Sequence, residues 1–195
     1  MRYSFFALIS RLKNITRWSL MRNNASENVQ EHSHMVAVIA HALAVIRRDV
    51  LGNDADPGAA AAAALFHDAS EILTGDMPTP VKYFDPEIMS AYKRVESLAS
   101  VKLLSALPEE LRPAYQPLLA GEDKATAALI KAADKLAAFV KCLEELKAGN
   151  LEFRSAALQT REKLEALNLP EVDYFIERFI PAFEMTLDEL DIDLS

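Results

Sequence analysis

The stretch DPGAAAAAALFHD, residues 56–68, decides the fold class. Its opening aspartate is a favourable N-cap and the proline after it suits the first helical position, so a helix begins here. The six alanines at 59–64 predict a thin helix that neighbouring helices can approach closely. The stretch ends in His67-Asp68, and a buried carboxylate is costly unless it is paired, hydrogen-bonded or bound to a metal.

Helical spacing extends over the rest of the chain. Only five glycines occur, and apolar residues recur at three- and four-residue steps instead of alternating. One glycine and two prolines predict a loop at 74–80. The remaining patterns predict helices over residues 4–13, 29–48, 85–107, a shorter one from 108, 122–148, 151–167 and 171–182, with a last turn from 186. We therefore expect an all-α fold, a compact helical bundle in a single domain spanning residues 1–195.

Composition and charge exclude several classes of partner. The 195 residues include 21 Lys and Arg against 29 Asp and Glu, a formal net charge of -8, which argues against binding to nucleic acid polymers or anionic membranes. The longest strongly apolar stretch, residues 35–46, is far shorter than the ~20 residues of a membrane span. Cys142 is the only cysteine, which fits a reducing compartment, so we expect a soluble protein of the cytoplasm.

Helix faces indicate which of the four histidines can meet an acid in the core. His32 shares the apolar face of its predicted helix, whereas His34 and His41 belong to another face. Asp134 lies in the apolar part of the long helix. If it meets His32 and the His67-Asp68 pair, the result is a mixed nitrogen and oxygen site that suits Mn, Co, Fe or Zn. Taken alone, the pair also fits a core histidine beside a helix cap.

Three further features could serve such a site. Glu71 follows His67 by four residues, so on a continuous helix it shares that face and could move the proton of a metal-bound water; it also fits an exposed helix glutamate. The Arg17-Trp18 dipeptide offers a fork for phosphate and a flat face for a sugar or base, but equally fits a surface ion pair beside a core tryptophan. The loop at 75–79 either contacts and recognises the substrate or only connects helices.

In combination these residues resemble a known signature. His32, then His67-Asp68, then Asp134 is similar to the metal motif of the HD-domain phosphohydrolases, and the closer resemblance is to their bacterial 5′-deoxynucleotidases. It covers nearly the whole chain and is densest in residues 17–23, 27–33, 67–84, 133–139 and 141–146. The resemblance implies an all-helical, metal-dependent phosphatase that releases phosphate from deoxyribonucleoside 5′-monophosphates.

The resemblance also implies a role for each site residue. One divalent cation, Co²⁺ or Mn²⁺ foremost, with Zn²⁺, Fe²⁺, Mg²⁺ and Cu²⁺ as alternatives, would be held by His32, His67, Asp68 and Asp134. Glu71 would transfer protons and Arg17 would orient the phosphate. The sugar would meet Trp18, Asp76, Met77, Pro78 and Thr79, and the ligand side chains His32, Asp68 and Asp134 would also face the substrate. Relatives of this kind form homodimers.

Rival interpretations remain at this stage. Another HD-type nucleotide phosphohydrolase or phosphodiesterase would share the metal residues but needs other substrate residues than Arg17-Trp18 and the 75–79 loop. A metal- or nucleotide-binding sensor would need no Glu71. A plain helical interaction protein would have no reason to bury acids.

Overall fold

The computed structural model describes residues 2–82, 84–121 and 123–190, and its regular elements within these ranges are helical, which confirms the all-α prediction. Residues 1, 83, 122 and 191–195 lie outside the described residues; they include the predicted start of the long helix and the ends of the predicted domain. The helices are α1 (Phe5–Ile9), α2 (Val29–Val45), α3 (Pro57–Phe66), α4 (Glu71–Thr74), α5 (Thr79–Lys82), α6 (Pro86–Ser105), α7 (Arg112–Ala120), α8 (Lys124–Lys147), α9 (Arg154–Glu165) and α10 (Pro170–Arg178).

Short helical turns extend several of these elements. A π-helical turn at Ile46–Val50 continues α2, so the predicted helix at 29–48 is present in two parts. The other turns are 3-10 helices at Ser10–Asn14, Glu109–Leu111, Leu151–Phe153, Ile180–Glu184 and Asp188–Leu190. Because these turns adjoin α1, α9 and α10, the predicted helices at 4–13, 151–167 and 171–182 are also found as a helix plus a tighter turn.

The main core forms where α2, α3 and α8 pack together. Ala60 and Ala64 of α3 are buried in the same cluster as Leu43 of α2 and Leu136 of α8. Small side chains on α3 allow the three backbones to approach closely, as the alanine run predicts. The apolar stripes of α9 and α10 complete this core from the C-terminal side.

A second, smaller cluster anchors the turn that follows α3. Ala69 is buried there with Phe5 of α1 and with Leu103 and Leu107 at the end of α6. The main core fixes the positions of α2 and α8, which carry His32 and Asp134, and this cluster fixes the turn between α3 and α4. Both clusters therefore fix the position of His67-Asp68.

The structure differs from the sequence patterns at two places. The alanine-rich helix α3 ends at Phe66, and tight turns occupy 67–70 before α4 begins at Glu71, so the continuous helix on which Glu71 would share the face of His67 does not form. The backbone N–H of Glu71 donates to the carbonyl of Asp68 at 3.0 Å, which closes one of these turns. The loop predicted at 74–80 is shorter, because α4 includes its first residue and α5 begins at Thr79. Proline is tolerated in the first turn of a helix, so the second proline did not break α5.

In the part of the chain that the structure describes, no helix is long and apolar enough to cross a membrane.

Candidate metal centre

The start of α2 delivers His32 to the core. Asn28 caps the helix by accepting the backbone N–H of Glu31 at 3.0 Å, and the Glu31 carboxylate accepts the backbone N–H of Asn28 at 3.2 Å. This reciprocal cap fixes where the helix begins. His32 directly follows Glu31 and is fully buried, whereas His34 and His41 are exposed. The predicted choice of face is confirmed.

His67 is oriented by its own helix. Its Nδ1 donates to the carbonyl oxygen of Ala64 at 2.7 Å, because a carbonyl can only accept. When the ring is neutral, that bond places its one proton on Nδ1 and leaves the Nε2 lone pair for a metal ion. Nε2 is buried and lies 3.1 Å from Oδ2 of Asp68, but the two atoms are not aligned for a hydrogen bond. The ring therefore presents a ligand atom beside a carboxylate.

Three of the four predicted ligands converge, and the fourth, Asp134, contacts one of them. Nε2 of His32 lies 3.8 Å from Oδ2 of Asp68 and 3.1 Å from Oδ1 of Asp134. His32, His67 and Asp68 each place one ligand atom within 4.8 Å of the others, and Asp134 joins this group through His32. Two atoms bound to one cation at about 2.1 Å stand about 3.0–3.4 Å apart at octahedral or tetrahedral angles. The observed separations are near this range, and the donor set fits a divalent cation.

The charged side chains of the group shift one another's pKa values. Burial disfavours the charged form of His67, but the Asp68 carboxylate outweighs burial and raises the pKa of His67 to about 9. Burial also disfavours ionised Asp68, yet His67, His32 and Arg17 hold the pKa of Asp68 well below its ordinary value. The hydrogen bond with His32 likewise outweighs burial and lowers the pKa of Asp134. Both acids are therefore carboxylates at neutral pH, as metal ligands must be, and a cation bound at Nε2 of His67 would replace the proton that these acids favour there.

Glu71 is buried beside this group and behaves differently. Burial, followed by the Asp68 and Asp76 carboxylates, raises the pKa of Glu71 to about 9. Its Oε2 has no hydrogen-bond partner among the residues that the structure describes. The exposed-glutamate alternative is thus wrong, and the side chain holds a proton at neutral pH next to the candidate ligands.

Arg17 reaches the group from the segment before α2. Its Nη1 lies 3.5 Å from Oδ2 of Asp68, and its Nε donates to Oε2 of Glu27 at 3.1 Å. The side chain is only 13% exposed, so it is not the surface ion pair that the dipeptide alone could have formed. Arg17 therefore places its positively charged guanidinium beside the Asp68 carboxylate.

Trp18 adopts an unusual backbone conformation next to Arg17. Its φ of 57° lies in the left-handed region, which costs a non-glycine residue on the order of 1–2 kcal/mol. The indole Nε1 donates to Glu27 at 3.0 Å, and the ring packs against Phe153 with centroids 5.3 Å apart. Asn23 adds a hydrogen bond from Nδ2 to the Trp18 carbonyl at 3.2 Å. These contacts hold the strained residue in place.

The loop after α4 is fixed more tightly at its start than at its end. Gly75, with a φ of 72°, ends α4, and Tyr92 of α6 donates from its hydroxyl to the Gly75 carbonyl at 3.3 Å. Asp76 is half-buried, and burial raises the pKa of Asp76 although Arg17 opposes the shift. Of the other predicted sugar residues, Met77 and Pro78 are half-buried and Thr79 is exposed.

A cavity of about 720 Å³ borders the centre between α6, α7 and α8. Its lining includes His67, Asp68 and Asp134, together with the cationic side chains of Lys93 and Lys131. Arg17, Trp18 and Asp76 do not line it. The candidate ligands therefore separate a roomy cavity from the Arg17-Trp18 segment.

Sequence reasoning assigned no role to Glu145, a buried carboxylate on α8 that fixes the segment before α2. It accepts the backbone N–H groups of Asn24 at 2.9 Å and Ala25 at 3.1 Å and the side-chain amide of Asn150 at 2.8 Å, and it pairs with Lys141. The i,i+4 spacing of a lysine and a glutamate within an apolar helix face was the available signal.

We expect Glu145→Ala to destabilise the fold by about 3–5 kcal/mol, because removing one partner leaves Lys141 charged and buried. Although burial opposes ionisation, Lys141 and the amides lower the pKa of Glu145 to about 2. The contribution of ionised Glu145 to the free energy of unfolding is therefore complete above its ordinary pKa of 4.5 and is lost as pH falls towards 2. Urea denaturation at pH 7 and at acidic pH measures both effects. Glu144→Ala, at an exposed neighbour, should change stability by less than about 0.5 kcal/mol; equal losses in the two variants would contradict the assignment.

Known proteins share much of this sequence. The family model of the YfbR-like 5′-deoxynucleotidases matches residues 4–183. The 5′-deoxynucleotidase of Erwinia tasmaniensis is 50% identical over 188 residues, 95% of both chains. The 5′-deoxynucleotidase YfbR of Escherichia coli is 50% identical over 194 residues, 97% of this chain and 96% of that protein.

Solved structures share the fold. An HD-domain phosphohydrolase from Listeria innocua superposes with a TM-score of 0.80 at 27% identity, covering 92% of this chain and 88% of that one. The HD phosphohydrolase DatZ of cyanophage S-2L, solved with dA and one catalytic Zn²⁺, superposes with a TM-score of 0.65 at 20% identity over 93% of this chain and 99% of that one. With an HD-type bundle and half its residues identical to these relatives over nearly full length, the chain belongs to the YfbR-like 5′-deoxynucleotidase family.

Proposed function

We propose that this protein hydrolyses deoxyribonucleoside 5′-monophosphates to deoxyribonucleosides and phosphate, using one divalent cation held by His32, His67, Asp68 and Asp134. The observation that carries the proposal is the convergence of His32 with His67 and Asp68, against which α8 places the Asp134 carboxylate through its contact with His32. The family membership supports the reaction class.

The donor set favours Co²⁺ or Mn²⁺, with Zn²⁺, Fe²⁺, Mg²⁺ and Cu²⁺ as alternatives. Two imidazoles and two carboxylates form neither a thiolate site nor an all-oxygen site, and a metal of the middle of the first transition row suits such a mixture. When bound, the cation supplies charge neutralisation for the phosphate and lowers the pKa of a water.

The side chains around the cation have separate roles. Arg17 binds the phosphate dianion and orients phosphorus for in-line attack. Glu71 moves protons: burial favours its protonated form, while a cation close by would favour its carboxylate, so the side chain can hold and release a proton. Asp76 accepts a hydrogen bond from the 3′-hydroxyl, and Met77, Pro78 and Thr79 line the sugar side. We assign no residue to reading the base.

Phosphate release from dAMP and AMP tests the proposal directly. Metal-stripped protein should be inactive, and added Co²⁺ or Mn²⁺ should restore release from dAMP with little release from AMP or from 3′-phosphates. Equal rates on AMP, or hydrolysis of a cyclic nucleotide in preference to dAMP, would identify another HD-type hydrolase or phosphodiesterase. Metal-dependent binding of dAMP without turnover would identify a sensor.

Trp18→Ala should narrow the difference between the dAMP and AMP rates. The indole is held rigidly by Glu27 and Phe153, and we propose that it crowds the position of a 2′-hydroxyl. Steric overpacking of this kind is worth about 1–3 kcal/mol, so the dAMP-to-AMP rate ratio should fall by about 5- to 150-fold, mainly because the rate on AMP rises. Initial rates under subsaturating substrate measure the ratio, and an unchanged ratio would assign the selectivity to other residues.

We also propose that the chain is one domain, acts in the cytoplasm and forms a homodimer. Val95, Leu98 and Val101 expose an apolar stripe along α6, of which Leu98 is 68% exposed. Exposed apolar surface of this kind is typical of interaction sites. Light scattering of the purified protein should give twice the 21.6 kDa chain mass, whereas a monomer at micromolar concentration would contradict the dimer.

A further inference from the structure

We propose that Glu27 is a positioning residue that holds Arg17 and Trp18 in one fixed arrangement and so couples phosphate binding to sugar selection. The proposal rests on the proposed function, because it takes Arg17 as the phosphate ligand and Trp18 as the group that rejects ribose. Glu27 acts only through these two side chains and is not itself a catalytic residue.

A single carboxylate oxygen serves both side chains. Oε2 of Glu27 accepts Nε of Arg17 at 3.1 Å and Nε1 of Trp18 at 3.0 Å. The Arg17 and Glu27 side chains are only 13% and 16% exposed, so water has little access to replace either bond. Because the two donors share one acceptor, any displacement of that oxygen moves the guanidinium and the indole together.

The backbone around Glu27 sets the register independently of its side chain. Residues 15–17 run antiparallel to residues 27–29: the N–H of Arg17 donates to the Glu27 carbonyl at 2.9 Å, and the N–H of Val29 donates to the Ile15 carbonyl at 3.0 Å. These bonds do not involve the carboxylate. A side-chain substitution at Glu27 therefore removes the shared acceptor and leaves the segment in place.

Competing contacts explain why the shared acceptor is needed. Nη1 of Arg17 already lies 3.5 Å from Oδ2 of Asp68, so without Glu27 the guanidinium is drawn wholly towards that acid. Trp18 would keep its backbone hydrogen bond with Asn23 and the packing of its ring on Phe153, which do not fix the direction of Nε1. Glu27 thus keeps Arg17 from collapsing onto a metal ligand while it fixes the edge of the indole.

A series of variants separates this role from a general structural one. Glu27→Ala should lower the dAMP-to-AMP ratio of kcat/KM about tenfold, towards that of Trp18→Ala, and raise the KM for dAMP several-fold. Glu27→Gln keeps an oxygen that accepts the indole N–H but removes the negative charge that pairs with Arg17. It should therefore retain most of the dAMP-to-AMP ratio, while the KM for dAMP stays raised. Glu152→Ala is the matched control: its carboxylate accepts the backbone N–H of Arg22 in the same segment and touches neither Arg17 nor Trp18, so both readouts should stay at wild-type values.

Fluorescence gives a readout that needs no activity. Trp18 is the only tryptophan of the chain, so its emission reports directly on the indole. Glu27→Ala should increase acrylamide quenching and shift the emission to longer wavelength, whereas Glu27→Gln and Glu152→Ala should remain close to wild type.

Wild-type quenching together with a wild-type ratio in Glu27→Ala would overturn the proposal. Increased quenching with an unchanged ratio would overturn the coupling to sugar selection, as would an equal loss of ratio in Glu152→Ala. If the wild-type protein released no phosphate from dAMP, the proposed function would fail, and with it the coupling. The quenching series would then still decide whether Glu27 holds the indole.

Discussion

Asp68→Ala should lose the bound cation and, with it, measurable turnover. Oδ2 of Asp68 is the atom that meets both imidazoles, at 3.1 Å from His67 and 3.8 Å from His32. Removing it leaves Asp134 as the one carboxylate of the proposed ligand set, and two neutral imidazoles with one carboxylate neutralise a divalent ion less well. We expect metal content to fall from about one ion per chain to near zero after dialysis, as measured by elemental analysis, and phosphate release from dAMP to fall by more than about 10⁴-fold.

Two control variants accompany this measurement. Asp68→Asn keeps the volume and loses the charge, so it should also lose metal, which separates ligation from packing. Asp49→Ala removes an exposed carboxylate of α2's terminal turn and should keep full metal content. A metal content of one ion per chain in Asp68→Ala, with a wild-type circular dichroism spectrum, would remove Asp68 from the ligand set.

Glu71→Gln should keep metal and substrate but lose turnover. The amide has nearly the same shape and fills the same buried position, yet it cannot give or take the proton that a carboxyl whose pKa is raised to about 9 exchanges. Loss of a general acid or base lowers kcat by about 10²–10⁴-fold. Single-turnover phosphate release and equilibrium binding of dAMP measure the two quantities separately.

The control for Glu71 is a glutamate outside the centre. Glu109→Gln, on the exposed turn before α7, should change neither quantity. A rate in Glu71→Gln within about threefold of wild type would exclude Glu71 from proton transfer. Loss of bound metal in this variant would instead make Glu71 a ligand or a support of one.

The sequence predicts those parts of the site that follow from helical periodicity. The face of α2 distinguishes buried His32 from exposed His34 and His41, because the burial of one stripe repeats every three to four residues. The small apolar neighbours of Asp134 indicate close packing, and Ala133 and Ala137 on either side of it are buried. Asp56, a favourable N-cap, and the proline after it likewise predict the start of α3 at Pro57.

Non-local pairing determines what the sequence does not reveal. Glu27 lies opposite Arg17 only because residues 15–17 pair antiparallel with 27–29, and helical periodicity carries no information about that pairing. The same holds for Glu145, whose partners Asn24 and Ala25 are more than a hundred residues away. Glu71 lies beside Asp68 through a tight turn after α3 and not along one continuous helix, so helical spacing alone does not determine its position.

A crystal structure of the Co²⁺-loaded protein, with the ion located by anomalous scattering, would show whether the four proposed ligands share one cation. We expect one ion about 2.0–2.3 Å from Nε2 of His32, Nε2 of His67, and one carboxylate oxygen each of Asp68 and Asp134. An ion that binds elsewhere, or one that leaves Asp134 beyond coordination distance, would contradict this expectation.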